Sequence, residues 1–238
     1  MIVTNVRGPE TGPLRAMFRG REPVPVPGRR PRVVNLDARG GEPPGLPNTG
    51  HVRPHQAFLG RVIDYLCADA GVRQFVDWGC PVPGTAERVH TADPGASVVH
   101  VAPYGAAGML SGAGATVLSG DGSGSDTLLR RLSTSGLVDF DEPVAVLMTR
   151  PFPADDPPAG IGDLHALMRG GGYLALASPV PRAVVERALS PFGPIEPGVA
   201  DIGWWPYPDE DVSGQGTGIL AGLGRRAPER GGGTRRWR

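Results

Sequence analysis

The sequence predicts an α/β fold in which a mostly parallel central sheet carries helices on both faces. Two observations predict it. From about residue 52, short β-branched and aliphatic runs alternate with amphipathic stretches, the pattern of strand–helix–strand units. Gly and Pro, 37 and 27 in number, are densest at the two ends: residues 1–50 hold 17 of them and residues 214–238 hold nine. Such composition opposes a packed core. The chain therefore divides into an Arg/Pro/Gly-rich, largely disordered segment over 1–51, one domain over 52–226, and a disordered basic tail over 227–238.

The elements of that domain follow in order. Between His55 and Ala70, apolar residues at Phe58, Leu59, Val62, Ile63 and Leu66 fall on one helical face, and Gly71 is a natural C-cap. Gln74 to Trp78 reads as a first strand, ending in a Gly/Pro loop through Gly84, with a short helix over 85–93. Ser97 to Val101 reads as the second strand, followed by a weak helix over 105–112. Ala115 to Leu118 is the third, and a Gly/Ser loop then leads to a helix from Ser125 or Asp126 to Leu132. Pro143 to Met148 is the most apolar strand, with a helix over 160–169 after it. Tyr173 to Ala177 is the fifth strand, and Pro181 at N1 opens a helix to Leu189. Two extended pieces close the domain, Val199–Trp205 and Gly218–Leu223.

Composition narrows the function. All 24 basic residues are arginine and the formal net charge is zero, so no global field favours nucleic acid or an anionic membrane. Eight arginines fall within residues 1–40 and six within 225–238, and solvated tails account for them. The two cysteines, Cys67 and Cys80, cannot build a disulfide framework and read as reduced cytoplasmic thiols. Neither a signal peptide nor a membrane span is legible, so the expected setting is the cytoplasm. No G-x-S-x-G, H-E-x-x-H or paired C-x-x-C motif is present, which leaves hydrolase and zinc chemistry without support. The Gly120, Gly122, Gly124 series meets Ser125 where a dinucleotide loop needs its third glycine.

A sheet of this kind takes its ligand at the carboxyl ends of its strands. Asp77, Ala102, Ser119 to Asp121 and Thr149 stand there. The run Arg73-Gln74-Phe75-Val76-Asp77-Trp78-Gly79-Cys80-Pro81-Val82-Pro83 resembles the first strand and glycine loop, RQFLDIGTGLPT, of a family of S-adenosylmethionine-dependent methyltransferases abundant in actinobacteria. Val98 to Val101, Leu137 to Leu147, Gly172 to Leu176, Ile195 to Val199 and Leu220 to Arg225 resemble later pieces of that family in the same order, so the likeness spans about residues 53–226. It implies a Rossmann-like methyltransferase sandwich, S-adenosylmethionine as cofactor and a small-molecule acceptor. In the family an ordered N-terminal helical segment helps to cover the cofactor, and here only Arg32 to Asn35 and Gly40-Gly41 faintly match it.

The resemblance assigns cofactor contacts to Asp77, Gly79, Cys80, Ala102, Asp121 and Thr149. It also shows departures. The family's second loop glycine is Pro81 here, which has no N–H and cannot take glycine's conformations. The acid that would bind both ribose hydroxyls is Ala102, a loss of charge-assisted hydrogen bonds worth about 1.5–3 kcal/mol each. Asp121 matches the adenine-binding acid but equally suits a Gly-rich turn. Arg150 could face an anionic substrate, His55 lies near the expected cofactor entrance, and Trp204-Trp205 is expected to pack the last strands. Two expectations stand: an active methyltransferase with an eroded cofactor site, or a non-catalytic descendant kept for binding or regulation.

Overall fold

A computed structural model of the protein describes residues 33–35, 49–79, 83–102, 116–119, 125–208 and 215–229. Its strands are β1 (Val33–Asn35), β2 (Gln74–Trp78), β3 (Ser97–Ala102), β4 (Thr116–Ser119), β5 (Val144–Met148), β6 (Gly172–Ser178), β7 (Gly193–Pro194), β8 (Ala200–Asp201) and β9 (Leu220–Arg226). The helices are α1 (Thr49–Ala68), α2 (Thr85–Ala92), α3 (Ser125–Thr134), α4 (Ile161–Leu167) and α5 (Arg182–Leu189). The weak helix expected over 105–112 lies outside the described residues.

The strands form one nine-stranded sheet in the order β1-β4-β3-β2-β5-β6-β9-β7, with β8 added to β9. β1 to β6 pair in parallel wherever they meet. β9 runs against β6, β7 and β8. From β2 the chain steps outward through β3 to β4, then returns to the other side of β2 as β5. The order therefore reverses between β2 and β5. Adjacent crossovers diverge at such a point and leave a crevice at the carboxyl edge.

Two cores flank the sheet because strand side chains alternate between its faces. Phe75, Val98, Ala145, Tyr173 and Ala175 pack under α1 and α2, against Phe58, Val62, Leu66, Ala86 and Val89. Val76, Val99, Val146, Leu174 and Leu176 pack under α3, α4 and α5, against Leu129, Leu132, Ile161, Leu164 and Val185. β5 and β6 are buried along their whole length, as expected of central parallel strands covered on both faces. Gly172 permits their close start: with φ at 141°, a Cβ there would lie 2.0 Å from the Val144 carbonyl oxygen.

Several boundaries differ from the sequence expectation, each for a local reason. α1 begins at Thr49 rather than His55, running through Pro54, and its first residues carry no apolar periodicity to signal it. Gly71 takes φ 65° and the Val72 N–H reaches the Leu66 carbonyl, so the expected C-cap forms. Pro181 is the N-cap of α5 rather than its first helical residue, with ψ at 145°. Of the extended stretch expected over 199–205, only Ala200–Asp201 pairs and the rest is turn. Here Asp201 folds the chain on itself: its carboxylate accepts from the N–H groups of Gly203 and Thr217 at 2.8 and 2.7 Å.

Candidate active site at the strand-order reversal

The reversal brings the carboxyl ends of β2 and β5 side by side, with β3 next to β2. Asp77 lies next to the last residue of β2 and Gly79 follows it, Ala102 ends β3, and Thr149 follows β5. Four of the six residues expected to hold the cofactor thus stand on three adjacent strands. Cys80 and Asp121, like Pro81, lie outside the described residues.

Asp77 is almost fully buried, 3% exposed, and a buried carboxylate requires a partner. His100 supplies one. The two residues are opposite each other in the parallel register of β2 and β3 and point to the α1 face. Nδ1 of His100 lies 3.1 Å from the Asp77 Oδ2, with both side chains about 5% exposed or less. No motif in the sequence surrounds His100, and it lies here against Asp77. The signal was the shared phase: Asp77 stands two residues beyond Phe75, and His100 two beyond Val98, on the same face of the sheet.

Gly79 takes φ 70°, a conformation open to glycine and strained for other residues. Its N–H reaches the Val101 carbonyl at 2.9 Å, which holds the start of the loop against β3. On the other side runs the stem of Arg150: a Cβ at Gly79 would sit 3.6 Å from the Arg150 Cδ. β3 ends in Ala102, paired in register with Ser119 of β4, so its terminus offers no carboxylate. Thr149 is wholly buried and Arg150 beside it is exposed. His55 is buried on the core side of α1, in phase with Phe58, Leu59 and Val62.

These residues were weighed as a seat for S-adenosylmethionine. The strand-order reversal and the positive φ of Gly79 fit it. The terminus of β3 does not supply the ribose-binding acid.

The loop between β8 and β9 hangs at the same edge, because Leu220 pairs with Ser178, the last residue of β6. It is tied to α1. Arg61 donates to the carbonyl oxygens of Ile202, at 2.8 Å, and of Trp205. Trp205 is buried and meets Phe58 edge-to-face with centroids 5.4 Å apart, while its Nε1 reaches the Gly198 carbonyl at 3.3 Å. Burial lowers the pKa of Arg61, and nearby Tyr207 partly offsets this. A cavity of about 510 Å³ lies between α1 and α2, bordered by Gln56, Asp64, Thr85 and Arg88. None of the described residues expected to hold the cofactor borders it.

The sequence profile described as S-adenosyl methyltransferase matches residues 44–187, more than half of the chain. The chain belongs to the S-adenosyl methyltransferase family. S-adenosylmethionine is the cofactor that this family implies. Two solved structures share the methyltransferase-like fold. A protein of Thermobifida fusca, named as a candidate methyltransferase, is similar at TM-score 0.58 and 23% identity, over 74% of this chain and 81% of its own. A DUF574 family protein of Streptomyces avermitilis is similar at TM-score 0.52 and 19% identity, over 74% and 83%. No curated protein matches the chain. Among the described residues, no helix is long and apolar enough to cross a membrane, and no group of three potential metal ligands occurs.

Proposed function

We propose that this family member methylates a small-molecule acceptor through a cofactor site that is eroded but still usable. The observation that carries the proposal is the strand-order reversal between β2 and β5, beside which Gly79 takes φ 70° while β3 ends in Ala102. S-adenosylmethionine would supply an electrophilic methyl group there. In this reading Gly79 lets the cofactor approach the backbone, Thr149 lines the β5 side, and Asp121 and Cys80 complete the contacts. Transfer of a methyl group from a sulfonium depends mainly on alignment of the acceptor, so a dedicated base is not required. Cytoplasmic residence and an actinobacterial origin belong to the same proposal and rest on the sequence.

A second reading has its own observation. The carboxylate of Asp77 is engaged by His100, and with Ala102 on β3 two of the acidic contacts expected for the cofactor are taken or lost. This favours a non-catalytic descendant that binds or regulates a partner. Isothermal titration with S-adenosylmethionine and S-adenosylhomocysteine separates the two. Micromolar binding supports the enzyme, and no binding at millimolar ligand supports the descendant.

A further inference from the structure

We propose that Arg150 is a carboxylate-binding residue at the mouth of the crevice between β2 and β5, a role that rests on the crevice being the ligand site. Its stem crosses Gly79, so it lies between the two strands at which the sheet order reverses. This is the place where an open α/β sheet takes its ligand.

The arginine is presented on a held backbone. Thr149 before it is wholly buried, and Pro151 after it fixes φ. One residue further, Phe152 is buried and clamped twice by Ser178 at the end of β6. The Ser178 Oγ accepts from the Phe152 N–H at 3.1 Å and donates to the Phe152 carbonyl at 2.9 Å. The exposed side chain therefore projects from a segment anchored on both sides, which limits the ordering cost of binding.

Among the described residues, no carboxylate lies within 4.0 Å of the Arg150 guanidinium, as also holds for the exposed Arg53 and Arg187, whereas Arg73, Arg88, Arg169 and Arg226 have acidic partners. The nearest strand ends add no carboxylate within that distance: Asp77 is buried beside His100 and β3 terminates in Ala102. A guanidinium beside a strand end that carries no acid, with no carboxylate near it among the described residues, favours an anion. A guanidinium binds a planar carboxylate through two parallel hydrogen bonds. Two ligands could bring one here, the methionine half of the cofactor or the methyl acceptor.

Titration of the full chain distinguishes them, using wild type, Arg150→Gln and the charge-keeping Arg150→Lys, each checked for an unchanged melting temperature. The first arm compares S-adenosylmethionine with its decarboxylated analogue. The second compares 4-hydroxybenzoate with 4-hydroxybenzamide, with and without saturating S-adenosylhomocysteine. A preference of about tenfold or more for the carboxylate, lost in Arg150→Gln and partly kept in Arg150→Lys, supports the proposal. In the first arm it assigns the carboxylate to the cofactor, and in the second to the acceptor. If S-adenosylmethionine does not bind the wild type, the cofactor reading fails while the second arm still tests Arg150. Equal binding of acid and neutral analogue, or a preference that survives Arg150→Gln in every arm, overturns it.

Discussion

Asp77 shows how a residue can be legible in position and hidden in partnership. Its place at the end of an apolar strand was plain in the sequence, but the contact with His100 depends on register between strands more than 20 residues apart in sequence. Ala102 was legible as a missing acid only through the resemblance, since an alanine at a strand end carries no signal of its own. The pair makes a prediction at this scale. Asp77→Ala and His100→Ala should each destabilise the fold by about 1–3 kcal/mol, because each removes one side of a buried polar contact. The double variant should cost clearly less than their sum. Urea denaturation of the four proteins checks this, and additive losses would show that the two side chains do not depend on each other.

At the scale of elements, long apolar runs were read well and short or turn-defined ones were not. β5 and β6 are buried along their whole length, so composition alone marks them. β8 is two residues long, and the stretch after it folds as turns because Asp201 draws Gly203 and Thr217 together. No periodicity reports such a closure. This segment is held to α1 by Arg61 and by Trp205 on Phe58. Trp205→Ala should therefore cost about 3–5 kcal/mol, the range for deleting a large buried aromatic side chain. Amide exchange should accelerate most over 200–205 and along the Phe58 side of α1. Exchange rising evenly across the sheet, with no excess in this segment, would contradict the anchoring role.

Alternation of strands and helices made the layered α/β class legible for the whole molecule, but strand order was not. The reversal between β2 and β5, the antiparallel course of β9 and the parallel addition of β1 to β4 all arise from contacts distant in sequence. β1 also bears on the arginine-rich arm. Deleting residues 1–45 removes three register pairs between Val33–Asn35 and the β4 edge. At about 0.5–1.5 kcal/mol net per hydrogen bond, the loss should be a few kcal/mol, with cooperative unfolding retained. A truncated chain as stable as the full one would mean that β1 adds nothing to the sheet.

The cofactor tests the whole molecule by linkage, because a ligand that binds only the folded chain stabilises it in proportion to the logarithm of one plus the ratio of its free concentration to its dissociation constant. At a free concentration one hundred times its dissociation constant the gain is about 2.7 kcal/mol. For a domain of this size each kcal/mol raises Tm by about 2–4 °C. Wild type should accordingly show a small rise in Tm with millimolar S-adenosylmethionine, since its β3 terminus makes no charge-assisted bond to the ribose. Ala102→Asp restores a carboxylate at that terminus, and each bond regained is worth about 1.5–3 kcal/mol. At the same cofactor concentration its Tm should rise several degrees further, while its Tm without ligand stays level or falls. Differential scanning calorimetry across a cofactor series reads both quantities. An identical dependence in the two proteins would mean that the ribose contact is not what limits binding, and would turn attention to the loop beyond Gly79.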